Sequence, residues 1–160
     1  STGIRIQEAS LITLNDISLQ EKTIIIHGKG RKERQLFIPN KYVLSSLKNW
    51  LTIRKTSSPK CNNIFINKYG NPLSIHSIEN IFRKYKTLSN INIKATPHYL
   101  RHTFATRCIE AGISLPVLQT LMGHHDIQTT INEYGKVFNF YQRKEKEKYI
   151  NYVTDGISEI

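Results

Sequence analysis

The chain is 160 residues long with a net charge of +11 and 39% apolar residues, which suits one globular domain with its own core rather than two full domains. Cys61 and Cys108 have neither a C-x-x-C pattern nor partner spacing, so a disulfide scaffold and a structural zinc site are excluded. No apolar run approaches the roughly 18 residues of a membrane span, and the opening Ser1-Thr2-Gly3-Ile4-Arg5 has neither the basic nor the apolar region of a signal peptide. The first residue is not methionine and the sequence around it reads as structured, as expected of a fragment of a larger protein.

Residues 4–12 read as a short helix with Glu8 inside it, and 13–18 as a strand. A β-branched run over 22–27 and a second apolar run over 35–38, ending at Pro39, flank a glycine-containing loop. That pattern predicts a β-hairpin, and its tip is densely basic, with Lys29, Arg31, Lys32 and Arg34. Asn40 can cap a helix over 41–55, where Val43, Leu44, Leu47, Trp50 and Leu51 recur at helical spacing. Residues 57–59 form a loop, 64–66 a short apolar piece, and 69–72 a turn. Ser74 can cap a helix running to about 88 that turns Ile75, Ile78, Ile81, Phe82 and Tyr85 inward.

Thr96 as N-cap and Pro97 at the first helical position open the best-marked helix, which Gly112 closes. Ser114 caps a short helix to Met122, closed by Gly123, and Asp126 caps another reaching Tyr134. A separate last helix over 139–153 carries a charged strip from Arg143 to Lys148. The expected class is α+β, mostly α-helical with a small antiparallel β-sheet.

The charge is unevenly spread. Residues 22–101 hold sixteen Lys or Arg against two acids, Glu33 and Glu79, whereas the flanks are neutral to slightly acidic. A basic stretch of this kind is the electrostatic footprint of a polyanion binder, with nucleic acid first in line. A merely solubilising lysine-rich surface accounts for part of the excess but not for the flanks.

His98 and Arg101 stand three residues apart on a predicted helix and share a face. Arginine grips phosphate oxygens bidentately and histidine moves protons near neutral pH, so the pair suits an anionic ligand. By itself it equally fits a helix-start histidine beside a surface arginine. The pair His98 and His102, and the doublet His124-His125, also admit a metal reading, with no acidic ligand nearby in the pattern. Taken alone, Tyr134 fits an ordinary aromatic residue.

Four segments in order resemble one family, the tyrosine recombinases or phage integrases. Thr2-Gly3-Ile4-Arg5-Ile6-Gln7-Glu8 resembles its first arginine box, and Gly28-Lys29-Gly30-Arg31-Lys32-Glu33-Arg34 its lysine hairpin. Pro97-His98-Tyr99-Leu100-Arg101-His102 resembles its His-x-x-Arg box. Leu121-Met122-Gly123-His124-His125-Asp126, with Tyr134 beyond it, resembles the last box and its nucleophile. Gln7, Met122 and Gly135-Lys136 depart from the usual residues of these motifs without removing a catalytic group.

The resemblance implies a tyrosine recombinase catalytic-domain fold over 1–137, lacking the family's N-terminal portion, and a tail helix over 138–160. It implies strand cutting and rejoining through a covalent 3′-phosphotyrosyl link, with Tyr134 as nucleophile, His98 as proton acceptor and Lys29 as acid. Arg5, Arg101 and His124 would stabilise the transition state, and Glu8 would orient Arg5 or another active-site group, with a plain surface acid as the competing reading. Arg31, Lys32 and Arg34 would touch DNA phosphates. The expected partner is double-stranded DNA, bound as a homotetramer through the tail by a protein that is monomeric when free, with a tail helix packed on its own domain as the alternative. No membrane, small-molecule substrate or cofactor is expected, and the expected location is the cytoplasm. No acidic cluster offers Mg²⁺ its oxygens, which fits a metal-free reaction. The rival readings are a DNA-binding module with a helix-turn-helix rhythm over 101–122, a type IB topoisomerase, and a folded but inactive integrase remnant.

Overall fold

The structure, a computed structural model, describes residues 2–157 apart from Lys29, Arg31, Pro39 and Asn92, and the side chains up to residue 150. The chain forms two compact units, Ser1–Phe104 and Ala105–Ile160. Among the described residues, no helix is long and apolar enough to cross a membrane.

The first unit is built around a three-stranded antiparallel sheet in the order β1 (Ile17–Ser18), β2 (Thr23–His27), β3 (Glu33–Phe37). Strand β2 pairs with β3 from Thr23↔Phe37 to His27↔Glu33, so the expected hairpin is present. Period-two alternation buries Ile24 and Ile26 from β2 and Leu36 from β3, and these join Ile12, Ile38, Ile64 and Ile66 in the core. The expected strand over 13–18 is interrupted by a 3-10 turn, Leu14–Asp16, with Thr13 and Ile17–Ser18 extended on either side. Asp16 is the cause: its Oδ2 accepts from both the backbone N–H and the hydroxyl of Thr13, each at 2.7 Å, which curls the chain.

Helix α1 spans Ile6–Leu11, α2 Lys41–Thr56 and α3 Ile75–Leu88. The Asn40 side chain accepts from the Tyr42 and Val43 amides, and the Ser74 hydroxyl from the Ser77 amide, so both expected caps are made. Helix α2 is tied to the segment after it by polar contacts. Trp50 Nε1 donates to the Ile64 carbonyl at 2.9 Å, and buried Arg54 donates to the carbonyls of Asn63 and Cys61. Helix α3 departs from expectation. It buries none of its residues, and Ile75, Ile81 and Tyr85 are exposed. Periodicity tells which residues share a face. It does not supply the element that covers that face, and α3 packs against the six-residue α1.

Helix α4, Pro97–Glu110, runs from the first unit into the second. Gly112 ends it at φ +83°, with the Ile113 N–H donating back to the Cys108 carbonyl. Helix α5, Leu115–Met122, closes on Gly123 in the left-handed region and packs on α6, Ile127–Ile157. Ala105, Ile109, Leu118, Met122, Thr130 and Tyr134 are buried in this unit. Two helices were expected after Asp126, and the structure has one of 31 residues. Gly135 lies within it, and a Cβ there would meet nothing nearer than Ile131 at 3.5 Å. A lone glycine costs a helix about 1 kcal/mol and does not end it.

Candidate active site

Three of the expected site residues line one cleft of the first unit. Arg5, His98 and Arg101 surround a space of about 340 Å³ together with Ile4, Gln7, Ile75, Glu79 and Pro97. Arg101 is 4% exposed, and its guanidinium donates to the Gly3 carbonyl at 2.6 Å. His98 packs edge-to-face on His102, ring centroids 4.4 Å apart. Among the described residues, no group of three His, Cys, Asp or Glu is placed to hold a metal ion.

Gly3 explains how the first motif reaches α4. Its φ is +62°, and a Cβ there would lie 2.3 Å from the Phe104 ring. Only glycine lets the backbone approach closely enough for its carbonyl to meet Arg101. Gly3→Ala is therefore expected to lose about 1–3 kcal/mol, from left-handed strain and overpacking together. Urea denaturation checks this, and an unchanged midpoint would refute the close-packing account.

Arg5 sits at the N-cap of α1, and Glu8 reaches back to it. The Arg5 backbone N–H donates to Glu8 Oε2 at 2.7 Å and its guanidinium to Oε1 at 3.0 Å. The same carboxylate accepts both ends of Arg34, at 2.9 and 2.8 Å. Arg34 was expected on DNA phosphates, but its side chain is 9% exposed and faces Glu8. The reason is strand alternation: Arg34 and buried Leu36 lie on one face of β3, while Glu33, Gln35 and Phe37 are exposed on the other. That signal was already present in the sequence. Lys32 is exposed, as a phosphate contact needs, and the expectations for Lys29 and Arg31 lie outside the described residues.

Burial pushes the Glu8 carboxyl up, but the hydrogen bonds from Arg34 and from the Arg5 backbone outweigh it and hold its pKa below the ordinary 4.5. A carboxylate with a lowered pKa contributes stability that is present above its ordinary value and lost as pH falls through the lowered one. Glu8→Gln is expected to cost roughly 2–4 kcal/mol at neutral pH, since it leaves two guanidiniums without their carboxylate. The gap between mutant and wild type should close in acid, which denaturation midpoints across pH will read. A gap independent of pH would remove Glu8 as the charged anchor.

The second unit holds His124 and Tyr134. His124 follows Gly123, and its Nδ1 lies 2.9 Å from the hydroxyl of fully buried Thr130. Its Nε2 is 3.9 Å from Glu133. Tyr134 is 2% exposed on α6, two turns ahead of Tyr141, whose hydroxyl donates to Glu110. Thr130 lies in the segment that resembles the last box but was given no role, and Glu79 carried no motif signal in the sequence.

This helical fold with a small antiparallel sheet is that of the tyrosine recombinase catalytic domains. The chain belongs to the phage integrase family, whose model matches residues 1–139. It is 41% identical over 130 residues to a tyrosine recombinase of Agathobacter rectalis, covering 81% of this chain and 42% of that protein. It is 37% identical over 130 residues to tyrosine recombinase XerC of Haemophilus ducreyi, with the same coverages of 81% and 42%. Among solved structures, XerA recombinase superposes with a TM-score of 0.80 at 28% identity, covering 92% of this chain and 54% of that one. The XerH site-specific recombinase in a post-cleavage complex with palindromic difH substrate does so with a TM-score of 0.77 at 26% identity, covering 92% and 42%. The chain thus spans 42% of the length of these two curated relatives.

Proposed function

We propose that the chain is the catalytic domain of a site-specific DNA recombinase, cutting and rejoining double-stranded DNA through a 3′-phosphotyrosyl intermediate. The observation that carries this reading is the cleft in which Arg5 and Arg101, at opposite ends of the first unit's sequence, meet beside His98. Two guanidiniums suit the non-bridging oxygens of a scissile phosphate, where charge gathers in the transition state. A tyrosine hydroxyl, with a pKa of about 10, is protonated at neutral pH. His98 takes the proton of Tyr134 as its oxygen bonds to phosphorus. The bond to O5′ breaks, and O5′ leaves with a proton from Lys29. His124 is a further donor to the phosphoryl oxygens. The covalent link retains the ester for a partner strand's 5′-hydroxyl to reclaim, so the scheme draws on neither ATP nor a metal.

Lys32 and Arg31 contact flanking phosphates, whereas Arg34 holds Arg5 through Glu8. The protein works in the cytoplasm, as a monomer that forms a homotetramer on DNA. Its tail over 138–160 docks on a neighbouring copy through the exposed Phe140, Tyr149 and Ile150 of α6. Tyr141, bonded to Glu110, stays with its own chain.

The direct test is capture of an SDS-resistant protein–DNA complex on nicked duplexes of randomised sequence, with the linked peptide identified by mass. An adduct on Tyr134 is expected. Tight, salt-dependent binding without any adduct would make the chain a DNA-binding module instead.

A further inference from the structure

His27 ends β2, two residues before Lys29, with its ring between two carboxylates. Its Nε2 lies 2.7 Å from Asp16 Oδ1 and its Nδ1 2.9 Å from Glu33 Oε1. A neutral imidazole has one N–H and one lone pair, so it would set that lone pair against one of the carboxylates. Only the imidazolium donates to both. The two acids are placed independently of the ring. Asp16 is held by its two bonds from Thr13, and Glu33 is the cross-strand partner of His27. Immediately beyond the ring, the Gly28 N–H donates to the Lys32 carbonyl at 2.7 Å and starts the basic loop.

We propose that His27, as an imidazolium bridging Asp16 and Glu33, is a positioning residue that sets the root of the Lys29 loop. It serves the transfer of the Lys29 ammonium proton to the leaving O5′, and it rests on the recombinase reading in that respect. Among the described residues, the charged groups facing the ring are Asp16 on the 3-10 turn and Glu33 on β3. The hydrogen bond that His27 donates to Asp16, with the charges of both acids, raises the His27 pKa above its ordinary 6.5. A raised histidine pKa means the clamp is complete below 6.5 and released as pH rises through the raised value.

The clamp is tested on the whole chain by NMR, following the His27 ring and the Gly28, Gly30 and Lys32 amides across pH. The amides are expected to titrate at the ring's own midpoint, above 6.5, and to lose that transition in His27→Gln. Amides indifferent to the ring overturn the clamp.

Its catalytic role is read as adduct formed on nicked randomised duplexes carrying oxygen or sulfur at the 5′-bridging position. Sulfur leaves without a proton, so it bypasses the acid. On oxygen DNA, His27→Gln is expected to lose up to about 10²-fold at acid pH, the scale of an ångström-level misplacement. It should converge on wild type in alkali and be rescued by sulfur, as Lys29→Ala is. A deficit that sulfur leaves in place, or one equal at every pH, overturns the positioning role. No adduct from wild type on either DNA overturns the recombinase reading itself, and the amide titration still decides the clamp.

Discussion

Tyr134→Phe is expected to abolish covalent linkage to DNA while leaving duplex binding within about twofold, the scatter of a substitution of well under 1 kcal/mol. The change removes one oxygen and keeps the ring. The ring is what occupies this 2%-exposed position in the second unit, so the fold should hold. On the proposed reading the nucleophile goes with the oxygen. Tyr141 is the nearest rival along α6, but its hydroxyl donates to Glu110, and that bond holds its pKa above the ordinary value of 10.0. A phenol held in its protonated form is a poor nucleophile. Tyr149 lies exposed farther along the same helix. The measurement is the yield of SDS-resistant complex beside a binding isotherm. Persistent adduct in Tyr134→Phe would move the nucleophile to Tyr141, Tyr149 or Tyr152.

Arg5→Ala and Arg101→Ala should each slow cleavage by about 10³–10⁵-fold, the range one transition-state arginine supplies in other phosphoryl transfers. Binding should weaken far less, because charge builds on the phosphoryl oxygens only as the bond breaks. The two variants should differ in stability. Arg101 is buried and ties down the Gly3 carbonyl, so its removal strands that carbonyl. Arg5 is the more exposed of the two, and its loss leaves Glu8 still paired with Arg34. Single-turnover cleavage and affinity measured side by side decide the matter. Equal losses in both would reduce these arginines to phosphate anchors.

Local structure was legible wherever a short-range rule governs it. The Asn40 and Ser74 caps, Pro97 at a helix start, Gly112 and Gly123 at helix ends, and the hairpin are each set by a few neighbouring residues. Where the structure departs from expectation, the deciding partner lies elsewhere in the chain or the local signal is weak. The periodicity of α3 predicts an inward face, yet coverage depends on what packs opposite. Separate helices ending at Tyr134 and starting at 139 were expected, and one helix runs through both, Gly135 included. Arg34 was assigned to the DNA with its basic neighbours, although its position alternates with Leu36 and its carboxylate partner lies in α1.

The sequence by itself determined the residue types and their order: two arginines, a lysine, two histidines and a tyrosine in four motifs, with basic charge concentrated between them. Those are chemical identities, carried by single residues and readable without a fold. The tertiary structure alone decided which charges face each other. Glu8 holds Arg5 and reaches Arg34 across 26 residues, Gly3 offers its carbonyl to Arg101 across 98, and His27 is bracketed by Asp16 and Glu33. Such pairings depend on distances of about 3 Å, and Coulomb and hydrogen-bond energies fall away too steeply for sequence spacing to stand in for them.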